Sequence, residues 1–112
     1  MAEMGSEAAG PRRVTVPTLQ ILAVLLADPL RTDWFGLEVS RQTGLGSGTV
    51  TQVMYRLEEW GWVASQWEDR DVATSQGRPR RRFYRLTGDG NQQAQALVRK
   101  RFPGLLRLNP EA

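Results

Sequence analysis

A three-residue connection between two amphipathic segments restricts the fold of this chain more than any other feature. The first segment is predicted to be a helix over residues 34–43, with Thr32 or Asp33 as its N-cap. Gly44 follows it, at the position where a left-handed C-terminal cap favours glycine, and only two more residues precede the next segment. A connection of this length between two helices is the one that a helix-turn-helix requires.

The second segment is predicted to be a helix from its N-cap Ser47 to about Trp60. Its apolar residues have the i, i+3, i+4, i+7 spacing of one buried helix face: Val50, Val53, Met54 and Leu57. The other side carries hydrogen-bonding groups with one formal charge: Thr49, Thr51, Gln52, Tyr55 and Arg56. Such a face is suited to lie against the base edges of DNA.

The remaining pattern predicts two further helices and a β-hairpin. A helix beginning near Pro17 and ending before Asp28 is apolar on nearly every side, so it must be mostly buried. Strands are predicted at 62–67 and 82–86, joined by a polar, glycine-containing loop with a mobile tip. Thr87 is the predicted N-cap of the last helix. The apolar stripe of that helix comprises Ala94, Leu97, Val98 and Phe102. The fold class is therefore mainly α with a small β-hairpin (α+β), in the order of a winged helix-turn-helix.

The composition argues against catalysis and metal binding. The chain has no cysteine and no histidine, which removes zinc–thiolate sites, thiol nucleophiles and the commonest general base. Its carboxylates do not form a recognisable catalytic pair. We therefore expect no enzymatic activity, no cofactor and no metal site.

No segment of the sequence is predicted to enter a membrane. The longest mainly apolar run, Leu19 to Ala27, is about half of what a bilayer span needs. Residues 1–10 contain two glutamates and no apolar segment, so they do not form a secretory signal. We expect a cytoplasmic protein that is associated with the nucleoid.

Positive charge is concentrated in one short stretch. The chain carries 15 basic against 12 acidic residues, and all but one of the basic residues are arginine. Five arginines lie within residues 78–85, at the predicted hairpin, whereas residues 58–71 hold five acids. A charge run of this kind is usually a solvated face. Because this one coincides with the hairpin, and arginine binds phosphate through a planar fork, contact with DNA phosphates or the minor groove is favoured.

Four motifs follow one another along the chain: FGLE at 35–38, GLGSGTV at 44–50, RLEEWGWV at 56–63 and GRPRRRFYRLTGDG at 77–90. In this ordered set the sequence resembles the PadR family of winged-helix transcriptional regulators, over roughly residues 14–102. The resemblance implies a homodimeric bacterial repressor that binds an inverted-repeat operator in double-stranded DNA and is often released by a small molecule. The chain departs from many members at Thr51-Gln52, where they have Tyr-Pro. With one helix and a tail after the hairpin, it resembles the short C-terminal class.

On this interpretation the DNA-contacting residues fall into two sets. The predicted recognition-helix set is Ser47, Thr49, Thr51, Gln52, Tyr55 and Arg56. The predicted set on the hairpin is Arg78, Arg80, Arg81 and Arg82. We expect Ser47 and Thr49 to hold a phosphate at the helix start, and Gln52 and Arg56 to reach bases, although Arg56 can instead grip phosphate.

Two other functions fit the same pattern. A winged helix can serve protein contact, with its third helix against a partner and its arginine loop on an acidic surface. It can also belong to an accessory DNA-binding factor of a plasmid or phage.

Apolar residues beyond the needs of one small core indicate a homodimer. We divide the chain into a disordered N-terminal arm (1–13), a winged helix-turn-helix domain (14–87) and a C-terminal dimerisation helix with its tail (88–112). The predicted dimer contacts are Leu97, Val98, Phe102 and Leu105. The alternative is that these residues all serve the core of a single chain.

Three tryptophans are candidates for a pocket that binds a small-molecule effector: Trp34, Trp60 and Trp62. Packing is the favoured interpretation for two of them, because Trp60 and Trp62 flank Gly61 and can wedge the third helix against the hairpin.

Overall fold

The structure, a computed structural model, describes residues 14–101. Its elements are α1 (Val16–Leu26), β1 (Trp34–Phe35), α2 (Gly36–Thr43), α3 (Ser47–Glu59), β2 (Val63–Trp67), α4 (Arg70–Ser75), β3 (Arg82–Leu86) and α5 (Gly88–Arg101). The predicted mainly helical fold with a small antiparallel sheet is confirmed, and the structure adds β1 and α4. The predicted N-terminal arm and the predicted dimer contacts Phe102 and Leu105 lie outside the described residues.

Helix α1 lies at the centre of the core, as its all-round apolar sequence predicts. Four of its side chains are at most 2% exposed: Leu19, Ile21, Leu22 and Leu25. The helix begins after Thr15, whose Oγ1 accepts a hydrogen bond from the Thr18 amide. Helices α2, α3 and α5 all pack against α1, so one hydrophobic core joins the helices.

The turn between α2 and α3 has the predicted glycine cap. Gly44 has φ of 79°, and its amide donates to the Ser40 carbonyl oxygen at 2.8 Å. The hydroxyl of Ser40 donates to the Leu45 carbonyl oxygen, which ties the turn to α2.

The predicted role of Ser47 as N-cap was wrong. Ser47 is the first helical residue, and the N-cap is Gly46, which has no side chain to offer the exposed amides.

The start of α2 also differs from the prediction. Residues 34–35 form β1 and pair with β3, so the helix begins only at Gly36. Neither Thr32 nor Asp33 caps it, and Asp33 instead accepts a hydrogen bond from the Arg31 guanidinium.

The predicted hairpin is part of a three-stranded antiparallel sheet in the order β1-β3-β2. Tyr84 on the central strand is opposite Trp34 on one side and Ser65 on the other. We call residues 63–86, which comprise β2, β3 and their connection, the wing. Because β3 is central, the wing is joined directly to the residues that lead into α2.

The connection within the wing is more ordered than predicted. It contains the short helix α4, which is capped by the Asp69 carboxylate and buries Ala73. Glu68 is 5% exposed, and its carboxylate accepts two hydrogen bonds from the Arg78 guanidinium at 2.6 and 2.8 Å. These bonds lower the pKa of Glu68 to about 2. The predicted loop therefore contains a helix, and a carboxylate at one end of the connection binds a guanidinium at the other end.

Helix α5 begins at the predicted cap. The Thr87 hydroxyl accepts from the Gly90 amide at 2.8 Å and donates to the Gly61 carbonyl oxygen, also at 2.8 Å. Gly90 is buried directly against the backbone of Trp62. No helix within residues 14–101 is long and apolar enough to span a bilayer.

Replacing Gly90 tests this close approach. A Cβ added at Gly90 would collide with the Trp62 carbonyl group, and that backbone is held by its neighbours, so Gly90→Ala should destabilise the fold by about 1–3 kcal/mol. Urea denaturation followed by tryptophan fluorescence measures the change. The matched control is Gly88→Ala in the same helix, where an added Cβ meets nothing within 4 Å and the stability should stay within about 0.5 kcal/mol. Equal midpoints for the two variants would contradict the packing described here.

The ion pair in the wing predicts a dependence on pH. The pKa of Glu68 is lowered from 4.5 to about 2, mainly by the Arg78 hydrogen bonds, so its stabilising effect is complete above pH 4.5 and is lost as the pH falls toward 2. The carboxyl carbon of Glu68 should titrate by NMR with a midpoint near 2. In Arg78→Gln the midpoint should rise toward the ordinary value. An unchanged midpoint in that variant would show that Arg78 is not the cause.

Candidate nucleic-acid interface

The side of α3 that faces away from the core is exposed, as the sequence periodicity predicts. The buried side comprises Val50, Val53, Met54 and Leu57. The exposed side comprises Ser47, Thr49, Thr51, Gln52 and Tyr55. Arg56 is half-buried and lies at the edge of this face. The face therefore offers hydroxyl and amide groups with little formal charge.

A groove of about 420 Å³ lies between this face, the start of α2 and the wing. Its lining comprises Phe35, Gly36, Leu37, Thr51, Arg78, Pro79, Arg80, Arg81, Arg82 and Tyr84. All four predicted wing arginines and one predicted residue of α3 thus border one concave surface. Phe35 and Leu37 also line the groove, and Leu37 is 51% exposed.

The four wing arginines are not equivalent. Arg78 is paired with Glu68 through both prongs of its fork, and Arg82 lies 3.5 Å from the Glu58 carboxylate. Among the described residues, the guanidinium groups of Arg80 and Arg81 have no carboxylate oxygen within 4.0 Å. Of the four arginines that line the groove, these two carry the charge that is not neutralised by an acid.

Aromatic rings support the arginine side chains. The Arg81 guanidinium lies 3.9 Å from the centre of the Phe35 ring, and those of Arg80 and Arg82 lie 5.8 and 5.4 Å from the Trp67 ring. Stacking on a ring face uses the flat side of a guanidinium and leaves its in-plane donors for other acceptors. Trp67 itself is 52% exposed, so its ring is open to solvent beside these arginines.

A short polar network joins the end of α3 to the wing. The Glu58 carboxylate accepts a hydrogen bond from the Ser65 hydroxyl and also faces Arg82. Tyr84 lies beside this network, and burial raises the pKa of its hydroxyl. The network fixes the angle between α3 and the wing, since Ser65 is on β2 and Arg82 is on β3.

Arg31 forms a clamp that holds the segment leading into α2. Arg31 donates to Glu38 at 2.6 and 2.9 Å and also to Asp33, and these bonds, led by those to Glu38, raise the pKa of Arg31. Its guanidinium stacks 4.1 Å from the centre of the Trp34 ring. The clamp orients the chain that carries Phe35 into the groove.

Arg85 lies outside this groove. It is exposed, opposite Ala64 in the sheet, and it lines a separate groove with Thr32 and Asp33. The wing arginines are therefore divided between two surfaces, and only residues 78–82 adjoin α3.

The candidate effector residues have the contacts of core packing. Trp34 and Trp62 are 3% and 4% exposed, and the rings of Trp60 and Trp62 lie edge to face with centres 5.1 Å apart. None of the three lines the two grooves described above. The Nε1 of Trp34 is buried and has no hydrogen-bond partner among residues 14–101.

The predicted dimer contacts on α5 face the chain's own core. Val98 is fully buried, which leaves no surface of its side chain for a second chain. Leu97 is half-buried and packs against the core from the edge of α5. Of the four predicted contacts, Leu97 alone is described and partly accessible. Within residues 14–101 there is also no group of three side chains suited to bind a metal ion.

Solved structures share this architecture at low sequence identity. A PadR family transcription regulator from Clostridium difficile R20291 matches with a TM-score of 0.63 and 18% identity, over 87% of this chain and 97% of its own. A PadR-like transcription factor from Bacteroides fragilis matches with a TM-score of 0.58 and 18% identity, over 99% of this chain and 96% of its own. The PcaV transcriptional regulator from Streptomyces coelicolor, in complex with its natural ligand, matches with a TM-score of 0.63 and 20% identity, over 96% of this chain and 68% of its own.

No protein-family model and no curated protein matches the sequence. At identities of 20% or less, the three structural matches establish the fold alone. The winged-helix fold that the four sequence motifs imply is thereby confirmed. The chain has the winged helix-turn-helix fold of the PadR-like transcription regulators.

Proposed function

We propose that this protein is a sequence-specific transcriptional regulator that binds double-stranded DNA. One observation carries the proposal: Thr51 of α3 and the uncompensated arginines Arg80 and Arg81 border the same groove. A polar helix face suits the major groove, and arginines beside it suit the phosphates that flank that groove. Affinity and sequence readout are then supplied by neighbouring elements in one docking position.

The helix is assigned the readout of sequence. Gln52 is exposed at the middle of the polar face and suits adenine, with which glutamine forms two hydrogen bonds. At the start of α3, Ser47, Thr49 and the backbone amides are exposed and uncapped by a side chain, which suits a phosphate. Arg56, being half-buried at the edge of the face, is assigned to phosphate or to guanine within its reach.

The wing is assigned most of the affinity. Arg80 and Arg81 are held by rings and by backbone contacts, and their charge is not neutralised by a described carboxylate. Contacts of this kind release counterions from DNA and make binding strongly dependent on salt. They carry little sequence information, so they act on operator and random DNA alike.

We further propose that the protein is a homodimeric bacterial repressor that acts in the cytoplasm on an inverted repeat. A two-fold dimer would place its two α3 helices about 34 Å apart, one turn of DNA. Among the described residues, partly buried apolar side chains occur on the two neighbouring helices α1 and α5: Val24, Leu26 and Leu97. A partner chain that packs on these helices would cover such side chains.

Substitutions in α3 and in the wing should separate the two roles. Gln52→Ala should lose about 1–3 kcal/mol of discrimination between operator and scrambled duplex, because one base contact is removed. Arg80→Ala should weaken binding to both duplexes by a similar factor and reduce the salt dependence. Fluorescence anisotropy with the promoter of the protein's own gene and with scrambled duplex, at several salt concentrations, measures both effects.

The control for lost charge is Arg99→Ala, on the exposed side of α5, which should bind as the unaltered protein does. Equal losses on both duplexes for Gln52→Ala and Arg80→Ala would contradict the division of roles. If the unaltered protein bound neither duplex at low salt, the regulator proposal would be wrong, and the same surface would be assigned to a protein partner.

The dimer has its own test. Sedimentation equilibrium at micromolar concentration should give twice the chain mass of 12.6 kDa, and Leu97→Glu should shift the protein toward the single-chain mass. The control Tyr55→Glu places the same charge on an exposed residue of α3 and should leave the mass unchanged. A single-chain mass for the unaltered protein would overturn the dimer proposal.

A further inference from the structure

The least expected group in the basic wing is a buried carboxylate. Glu68 follows β2 directly and lies among Arg78, Arg80 and Arg81, yet it is 5% exposed. Burying a charge is unfavourable unless it is paired and its hydrogen-bonding capacity is filled. A DNA-binding surface also loses attraction for phosphate with every acid that it holds. The position of Glu68 therefore calls for a compensating role.

The hydrogen bonds of Glu68 show what that role is. Its Oε1 and Oε2 accept from both prongs of Arg78, and Oε1 also accepts from the Arg81 amide at 3.1 Å. Its backbone amide donates to the Arg81 carbonyl oxygen at 2.8 Å, and its own carbonyl oxygen accepts from Arg80 Nε at 2.9 Å. One residue at the start of the connection thus holds three residues at its end.

The two uncompensated arginines depend on this arrangement. Arg80 is bonded to the Glu68 carbonyl oxygen, and Arg81 is held through both its amide and its carbonyl group. Arg81 then stacks on Phe35 at the border of the groove with α3. Fixing these side chains before DNA arrives lowers the conformational entropy that binding must remove.

We propose that Glu68 is a positioning residue that strengthens DNA binding although its own charge repels DNA. Glu68 neutralises Arg78 and, in return, orders the backbone and the side chains that present Arg80 and Arg81 toward the phosphates. This inference rests on the proposed function. It adds that the geometry of the wing, more than its net charge, sets the affinity.

The proposal predicts a change in DNA affinity that is opposite in sign to the change that net charge alone predicts. Glu68→Gln removes a negative charge and releases Arg78, so a model based on charge alone expects tighter binding and a steeper salt dependence. If Glu68 positions the wing, the same substitution weakens binding to promoter and scrambled duplex by about ten-fold. The slope of log K against log salt should also become shallower by about 1, because a phosphate contact is lost.

The matched control is Asp71→Asn. Asp71 is an exposed acid in α4 of the same wing, and its side chain accepts no hydrogen bond from residues 14–101. This variant has the same change of net charge and should bind both duplexes as tightly as, or more tightly than, the unaltered protein. The ratio of affinities for promoter and scrambled DNA should stay the same in both variants, since α3 is untouched. A general loss of folded protein would lower the active fraction without changing the salt slope.

Arg78→Lys provides a second variant in case Glu68→Gln does not fold. It keeps the net charge but cannot form the two-pronged pair, so charge alone predicts no effect and positioning predicts weaker binding. The proposal is overturned if Glu68→Gln binds DNA as tightly as Asp71→Asn, or if Arg78→Lys binds as the unaltered protein does. Binding to neither duplex by the unaltered protein would instead overturn the proposed function, and this inference with it.

Discussion

Burial of α1 determines which side of every other helix is left for function. Ile21, Leu22 and Leu25 are completely buried, so α2, α3 and α5 must each turn an apolar face toward α1. For α3 that face is Val50, Val53, Met54 and Leu57, and the rest of the helix is thereby directed to solvent. The exposed polar face is a consequence of packing, and the three-residue turn with Gly44 fixes its angle to α2.

The central strand β3 brings the second half of the candidate interface to the first. It pairs with β1, which leads into α2, and with β2, which follows α3. Acidic side chains complete the attachment, because Glu58 joins α3 to Ser65 and Arg82, and Glu68 holds the far end of the wing. Each of these two acids contacts an arginine that lines the groove.

Local pattern was enough to predict the helices, the glycine cap at Gly44, the exposed face of α3 and the two longer strands. Local pattern did not predict elements that are very short or that form only through contacts with distant residues. β1 has two residues and exists only through its pairing with β3, and α4 is too short for its periodicity to be detected. Glu68 belongs to a run of acids that is typical of a solvated face, and its partners are 10 to 13 residues away.

Base recognition and affinity for the DNA backbone are assigned to different elements, and this affects how the sequence preference of the regulator can change. Under the proposed function, α3 discriminates bases with a face that holds one formal charge, Arg56, whereas affinity comes from Arg80 and Arg81 on the wing. Substitutions on the exposed face of α3 do not touch the network around Glu68, since that network lies within the wing. Sequence preference can therefore alter while the attachment to the DNA backbone is retained. A count of charges along the chain does not reveal this division, because it treats the neutralised Arg78 and the uncompensated Arg81 as equal.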